Sequence, residues 1–127
     1  MLQYGGAGAG MARINVKRAY QLPSFEDGRR FLVDGLWPRG LKKADLNVED
    51  WLKDVAPSEA LRNWFKHDPR KWEEFKIRYY RELDCKPDSW RPLLKAAEEG
   101  VITLVFASKD ERRNNAIALK AYLEARL

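Results

Sequence analysis

Two nearly continuous apolar runs constrain the fold of this chain more than any other feature. The stretches "RFLVD" at 30–34 and "VITLVFA" at 101–107 are rich in β-branched residues and hardly alternate between polar and apolar side chains. Strands that are covered on both faces have this pattern, which is typical of parallel sheets. The stretch "INVKRAY" at 14–20 alternates and predicts a further strand. The chain is therefore predicted to build a small, mostly parallel sheet.

Apolar residues at helical spacing characterise the segment between the second and third strands. One helix is predicted over about 48–55, with Asn47 as its cap and Pro57 beyond its end. The stretch "SEALRNWF" predicts a second helix that begins at a Ser58 cap.

The pair Asp68 and Pro69 is a strong helix start signal, because it places a cap before a proline at the first helical position. A narrow apolar stripe with spacings of 3, 4 and 4 residues follows it, formed by Trp72, Phe75, Tyr79 and Leu83. Helical spacing alone explains this stripe, and we interpret it as core rather than as a cofactor site.

Two further helices are predicted near the C-terminus. The stretch "SWRPLLKAAEEG" places Pro92 in the first turn of a short helix and Gly100 just past its end. The last helix is predicted from about Glu111 to the chain end, with Asp110 as its N-cap. Strands and helices in this order predict an α/β fold, a few-stranded sheet with about five helices.

The 127 residues suffice for one domain, which we place at 13–127, behind a glycine-rich start at 1–12 that is expected to be a flexible lead. A hydrophobic content of 45% with 34% charged residues is typical of soluble globular proteins. No apolar run approaches the roughly 20 residues of a membrane helix. A single cysteine, Cys85, suits the reducing cytoplasm, where we expect the protein.

Polar and charged side chains follow two of the predicted strands where each strand ends. Open α/β sheets bind ligands at this edge, and helix N-termini attract anions there. If the two strands are parallel neighbours, the residues share one rim. The sequence therefore predicts a site for a phosphate-, carboxylate- or nucleotide-like anion between the "LWPRG" and "SKDE" loops, with these candidate ligand-binding residues: Asp34, Trp37, Arg39, Lys109, Asp110 and Asn114.

Structural roles compete with binding at each position. Arg39 either pairs with Asp34 and holds the corner together or binds an anion. Trp37 is either a packing element or a stacking platform, and we favour packing. Asp110 is expected to serve chiefly as a cap.

His67 is the only histidine and so the only side chain with an ordinary pKa near neutrality. A structural hydrogen bond competes with acid–base catalysis, and the sequence does not decide whether the protein is an enzyme. If it is, His67 and Asp34 are the candidates for proton transfer. One histidine and one cysteine do not make a usual zinc site, and we expect neither a metal nor a cofactor.

Two other functions stay open. A net charge of +5 permits a nucleic-acid accessory role, which we do not favour because acidic residues are interspersed and no standard motif occurs. Its candidate contacts are Arg29, Arg30, Lys42, Lys43, Arg112 and Arg113. A protein-interaction module with the Trp37 loop as its contact is the other alternative. The oligomeric state is left open.

Three stretches, "LVDGLWPRGLKK", "APSEALRNWFKHDP" and "ITLVFASKDERRNNAIALKAYL", closely resemble the YeaO-like family, part of the group named domain of unknown function 488. The resemblance covers about 13–125 and implies a compact cytosolic prokaryotic domain. It specifies no reaction.

The chain departs from the family pattern at three places. Relatives commonly carry arginine where this chain has Gly35, and histidine where it has Arg113 and Asn115. Some members of the larger group carry cysteine and histidine in the stretch that reads "FASKDERRNNA" here. The resemblance therefore gives no support to a histidine, thiol or metal mechanism in this protein.

Overall fold

A computed structural model describes residues 13–127, so the predicted lead at 1–12 lies outside the described residues. Its centre is a four-stranded sheet in which every neighbouring pair is parallel, in the order β1-β4-β2-β3. The strands are β1 (Ile14–Arg18), β2 (Arg29–Leu32), β3 (Asp50–Trp51) and β4 (Ile102–Phe106). The predicted α/β class with a small parallel sheet is confirmed.

The two apolar runs form adjacent strands at the middle of the sheet. Phe31 of β2 lies opposite Leu104 of β4, and the Val33 N–H extends the pairing by donating to the Val105 carbonyl at 3.1 Å. All five residues of β4 are buried, because helices and loops cover both faces. The loops that follow β2 and β4 therefore start side by side at the carboxyl edge of the sheet.

Five α-helices of the described part of the chain surround the sheet: α1 (Lys43–Leu46), α2 (Glu59–Phe65), α3 (Trp72–Asp84), α4 (Pro87–Glu99) and α5 (Asn115–Glu124). The predicted caps at Ser58 and Asp68 are confirmed. The Ser58 hydroxyl accepts from the Leu61 N–H, and the Asp68 carboxylate accepts from the Arg70 N–H at the start of a short 3-10 turn that leads into α3.

The predicted helix over 48–55 is wrong. This segment instead forms β3 and a 3-10 turn over Lys53–Val55. The Glu49 and Leu52 N–H groups donate to carbonyls of the β2 strand, at 2.7 and 2.9 Å, so an open sheet edge outweighs the helical spacing of the apolar residues. Asn47 has a left-handed backbone and ends α1 instead of capping a following helix.

Both C-terminal helices differ from their predicted starts. Helix α4 begins at Pro87, which places Pro92 inside it, whereas Gly100 follows its end as predicted. Helix α5 begins at Asn115 and not near Glu111, because Asn114 is its N-cap and accepts from the Ile117 N–H at 2.9 Å.

The predicted apolar stripe on α3 forms the main core. The Phe75 ring stacks on Phe65 with centroids 4.3 Å apart, and the buried Tyr79 hydroxyl donates to the Val55 carbonyl at 2.6 Å. A smaller cluster covers the other face of the sheet, where Trp37 and Trp51 pack edge to face with centroids 5.4 Å apart. Among residues 13–127 no helix has the length and apolar character to cross a membrane.

Candidate ligand-binding site

A cavity of about 410 Å³ opens at the carboxyl edge, where the loops after β2 and β4 meet. The loop after β2 contributes residues 34–39, and Ala107 and Ser108 come from the end of β4. The rest of the lining comes from other parts of the chain: Tyr20, Pro57, Arg62, His67 and Asn115. Residues of the loop after β2 therefore meet residues from distant parts of the chain in one cavity.

Asp34 is the polar centre of the cavity wall. One carboxylate oxygen accepts from the Ala107 N–H at 2.9 Å and the other from the Asn115 side-chain amide at 3.0 Å. Burial raises the pKa of the Asp34 carboxyl, although these two hydrogen bonds and the charges of Arg62 and His67 oppose that rise. Asp34 makes no direct ion pair within residues 13–127, although the charges of Arg62 and His67 act on it from a greater distance.

Arg62 is a site residue that the sequence reasoning did not single out. Its guanidinium donates to the Pro57 carbonyl at 2.6 Å, forms no ion pair in the described chain and lines the cavity. An added Cβ at Gly35 would lie 2.5 Å from the Nη1 atom of Arg62. The Arg62 guanidinium therefore occupies the space beside position 35, where the family pattern leads one to expect another arginine. The signal that could have pointed to Arg62 is its place in the "APSEALRNWF" stretch, which carries part of the family resemblance.

Replacing Gly35 by alanine is expected to move this guanidinium. The clashing atom is the end of a flexible side chain, so the unfolding free energy should change by less than about 1 kcal/mol. Any anion that contacts this guanidinium should bind about tenfold more weakly, because the substitution displaces the donor of a charge-assisted hydrogen bond. Thermal melts and ligand titration measure the two effects.

The control is Gly100→Ala, since an added Cβ there meets nothing within 4 Å. Unchanged anion affinity in Gly35→Ala would show that Arg62 is not a binding contact.

Arg39 lies at the exposed mouth of the cavity. Its carbonyl accepts from the Tyr20 hydroxyl at 2.8 Å, which ties the loop to the end of β1. The alternative pairing of Arg39 with Asp34 does not occur, and within residues 13–127 the Arg39 side chain forms no ion pair or hydrogen bond. Its guanidinium is available to a ligand.

Trp37 packs rather than protrudes. Its indole N–H donates to the Leu41 carbonyl at 2.7 Å, and its ring meets Trp51 in the smaller core cluster. The Trp51 indole in turn donates to the Asp34 carbonyl at 2.7 Å. The two tryptophans therefore hold the loop in place, and one side of Trp37 also lines the cavity.

His67 borders both this cavity and a smaller hollow of about 70 Å³ behind it. The smaller hollow is lined by Phe65 and Phe75 together with Arg62, Asn115 and others. Lys66 and His67 both have positive φ, 47° and 56°, which non-glycine residues adopt at a cost. This costly backbone turns the chain after α2 and sets His67 at the cavity wall.

The remaining predicted site residues do not line the larger cavity. Lys109 is exposed on the loop after β4. The Asp110 carboxylate accepts from the Arg112 and Arg113 N–H groups, which lowers its pKa, so it orders this loop and is not the N-cap of α5. Asn114 is 2% exposed, and its amide is engaged as the cap of α5 and with the Asp110 carbonyl, although it borders the smaller hollow.

Three of the six basic residues that were named as candidate nucleic-acid contacts form ion pairs. Arg30 is not exposed as expected but buried at 4%, paired with Asp27 at 2.8 Å. Arg29 bridges two glutamates, and Arg113 pairs with Asp110 at 3.5 Å. These pairs weaken the nucleic-acid hypothesis, because they neutralise charges that phosphates would need.

Among the described residues, the cavity gathers two guanidinium groups, an imidazole and a single carboxylate, which makes this lining cationic on balance. Residues 13–127 contain no group of three or more histidine, cysteine, aspartate or glutamate side chains suited to a metal ion. The Asn115 amide, which contacts Asp34, cannot accept or release a proton near neutral pH. The arrangement can hold charged groups of a small ligand.

The fold and this cavity define an α/β domain with a polar, cationic hollow at the carboxyl edge of a parallel sheet. The family described as the inactive DUF488-N3 subclade matches residues 13–127, and the chain belongs to it.

The similarity to known relatives extends over almost the whole chain. An uncharacterized protein of Mycobacterium tuberculosis is 40% identical over 114 residues, 90% of this chain and 96% of that protein. The Escherichia coli protein YeaO, also uncharacterized, is 35% identical over 112 residues, 88% of this chain and 97% of YeaO. The resemblance to the YeaO-like family is confirmed. No solved structure matches the chain.

Proposed function

We propose that the protein binds a small anionic ligand in the 410 Å³ cavity and does so without transforming it. The observation that carries the proposal is the pair of guanidinium groups, Arg39 and Arg62, that line one cavity without a carboxylate partner in the described chain. Guanidinium groups bind carboxylates and phosphates through paired hydrogen bonds. The volume lies in the range of small-ligand sites.

The hydrogen bonding of Asp34 supports binding over catalysis, because within residues 13–127 its side-chain partner is an amide and not His67, which lines the same cavity. That partner is Asn115, at a position where the family resemblance predicts histidine, and an amide cannot serve as a general base. The name of the family, the inactive DUF488-N3 subclade, also supports a role without catalysis. Lys109, Asp110 and Asn114 act in this proposal as the frame of the neighbouring loop and not as direct contacts.

Arg39→Ala is expected to weaken anion binding by about tenfold or more, because it removes a charge-assisted hydrogen bond at the cavity mouth. Thermal shifts with phosphate, carboxylates and nucleotides measure this. A ligand at about 100 times its Kd should stabilise the wild-type protein by about 2.7 kcal/mol and raise Tm by several degrees.

Arg81→Ala on α3 is the matched control, since Arg81 is exposed, lies outside the cavity and forms no side-chain hydrogen bond or ion pair in the described chain. It loses the same charge and should bind like the wild type. The proposal fails if no tested anion shifts Tm, or if Arg39→Ala and Arg81→Ala bind equally well.

A further inference from the structure

The cavity carries three charges without partners, and they are of both signs. Asp34 is negative, Arg39 and Arg62 are positive, and none of the three forms an ion pair within residues 13–127. We propose, on the basis of the proposed function, that the ligand is an acidic α-amino acid or a close analogue, a small molecule with one ammonium group and two anionic groups.

Asp34 has the capacity to receive an ammonium group. A carboxylate offers about four acceptor sites, and from residues 13–127 only two hydrogen bonds reach this one, from the Ala107 N–H and the Asn115 amide. A half-buried carboxylate that forms no direct ion pair is unfavourable, because it has lost water and the charges of Arg62 and His67 compensate it only from a distance. An ammonium donor in the cavity supplies both the charge and the missing hydrogen bonds.

The two arginines account for the anionic end of the ligand. Arg62 uses one of its five N–H donors, on the Pro57 carbonyl, and Arg39 uses none within the described chain. The two guanidinium groups lie on different elements, Arg39 on the loop after β2 and Arg62 on α2. Each can therefore bind its own carboxylate.

Charge complementarity separates this ligand from simpler ones. A monoanion or a dicarboxylate would satisfy the arginines but leave Asp34 unpaired, and Asp34 would repel it. A nucleotide has no ammonium group to offer Asp34. An acidic amino acid satisfies all three groups, and a molecule of that size fits in 410 Å³.

The test compares L-glutamate with glutarate, which has the same carbon chain and both carboxylates but no ammonium group. Isothermal titration of the full chain at neutral pH is expected to show glutamate binding about tenfold more tightly or better, since each hydrogen bond to a charged group contributes on that scale. In Asp34→Asn the preference should vanish. In Arg39→Gln both ligands should bind more weakly, while the preference for glutamate over glutarate remains.

Equal affinity for glutamate and glutarate in the wild-type protein would overturn this inference but leave anion binding intact. A preference that survives in Asp34→Asn would also overturn it. Binding of inorganic phosphate or nucleotides with no response to either dicarboxylate would likewise reject the amino acid. If no anion binds, the proposed function itself fails. Should Asp34→Asn not fold, the comparison of the two ligands on the wild-type protein still decides.

Discussion

Replacing Asp27 by alanine is expected to reduce the unfolding free energy by about 3–5 kcal/mol, because it leaves the Arg30 guanidinium buried without its counter-charge. Arg30 is 4% exposed and donates to the Asp27 carboxylate at 2.8 Å. Lys17 contacts both oxygens of the same carboxylate at 3.1 Å, and the Ser24 N–H donates to it at 2.9 Å. Asp27 thus joins β1, β2 and the turn between them.

The stabilisation from Asp27 should depend on pH in a defined direction. Burial by itself would raise the pKa of this carboxyl, but the hydrogen bonds from Ser24, Lys17 and Arg30 outweigh burial and the pKa lies below its usual value. A lowered pKa in the folded state means that the stabilisation is complete above about pH 4 and is lost as the pH falls through the folded-state value.

Chemical denaturation of wild type and Asp27→Ala at pH 7 and at successively lower pH measures both effects. The difference between the two proteins should shrink at acidic pH. Asp88→Ala is the control, because Asp88 is 97% exposed in its ion pair with Arg91 and such pairs contribute at most about 1 kcal/mol. A cost for Asp27→Ala no larger than that of Asp88→Ala would contradict the account of the buried pair.

Phe75→Ala is the second substitution with a large expected effect, again about 3–5 kcal/mol. Phe75 is 2% exposed and stacks on Phe65 and Trp72, with ring centroids 4.3 and 5.7 Å away. It also forms part of the wall of the smaller hollow behind the cavity, so truncation would enlarge a void of about 70 Å³ that is already present. The surrounding rings cannot collapse fully into the space, and lost packing adds to the lost burial.

Ile77 on the same helix provides the comparison, since it is 47% exposed and its replacement by alanine should cost less than about 1 kcal/mol. Urea denaturation of the two variants and the wild type measures the difference. If Phe75→Ala and Ile77→Ala are destabilised to the same small extent, the aromatic stack does not hold α3 in the way described.

The features that local sequence predicted correctly share one physical basis. The buried strands at 30–34 and 101–107, the Ser58 and Asp68 caps and the stripe on α3 all follow from backbone periodicity and from hydrogen bonds within a few residues. The mostly parallel character of the sheet also followed, because two-sided burial requires covering layers on both faces, but the pairing of these two strands with each other came from the structure.

The wrong predictions concern segments whose structure depends on contacts with residues that are distant in the sequence. The segment 48–55 has helical spacing but becomes β3 and a turn, since β2 offers it an open edge. Arg30 was expected at the surface and is buried, because Asp27 and two carbonyl groups on the other side of a loop satisfy its donors.

The residues of the candidate site also fall into two groups, those that local sequence signals identify and those that only the structure reveals. Asp34, Trp37, Arg39 and His67 could be named from the chain because they follow strand and helix ends that local signals reveal. Arg62 belongs to the "APSEALRNWF" stretch, but that stretch does not reveal that its guanidinium lies beside Gly35 and lines the cavity.

By itself the sequence determined that this protein is an α/β domain with a buried parallel sheet and polar loops at one edge, because these properties depend on neighbours along the chain. Only the tertiary structure decided which charges meet in the cavity and which neutralise one another elsewhere. Lys109 and Arg39 look equivalent in sequence, yet Arg39 lies at the cavity mouth and Lys109 lies outside it. The strength of a charged contact depends on distance and burial, and both are set by folding.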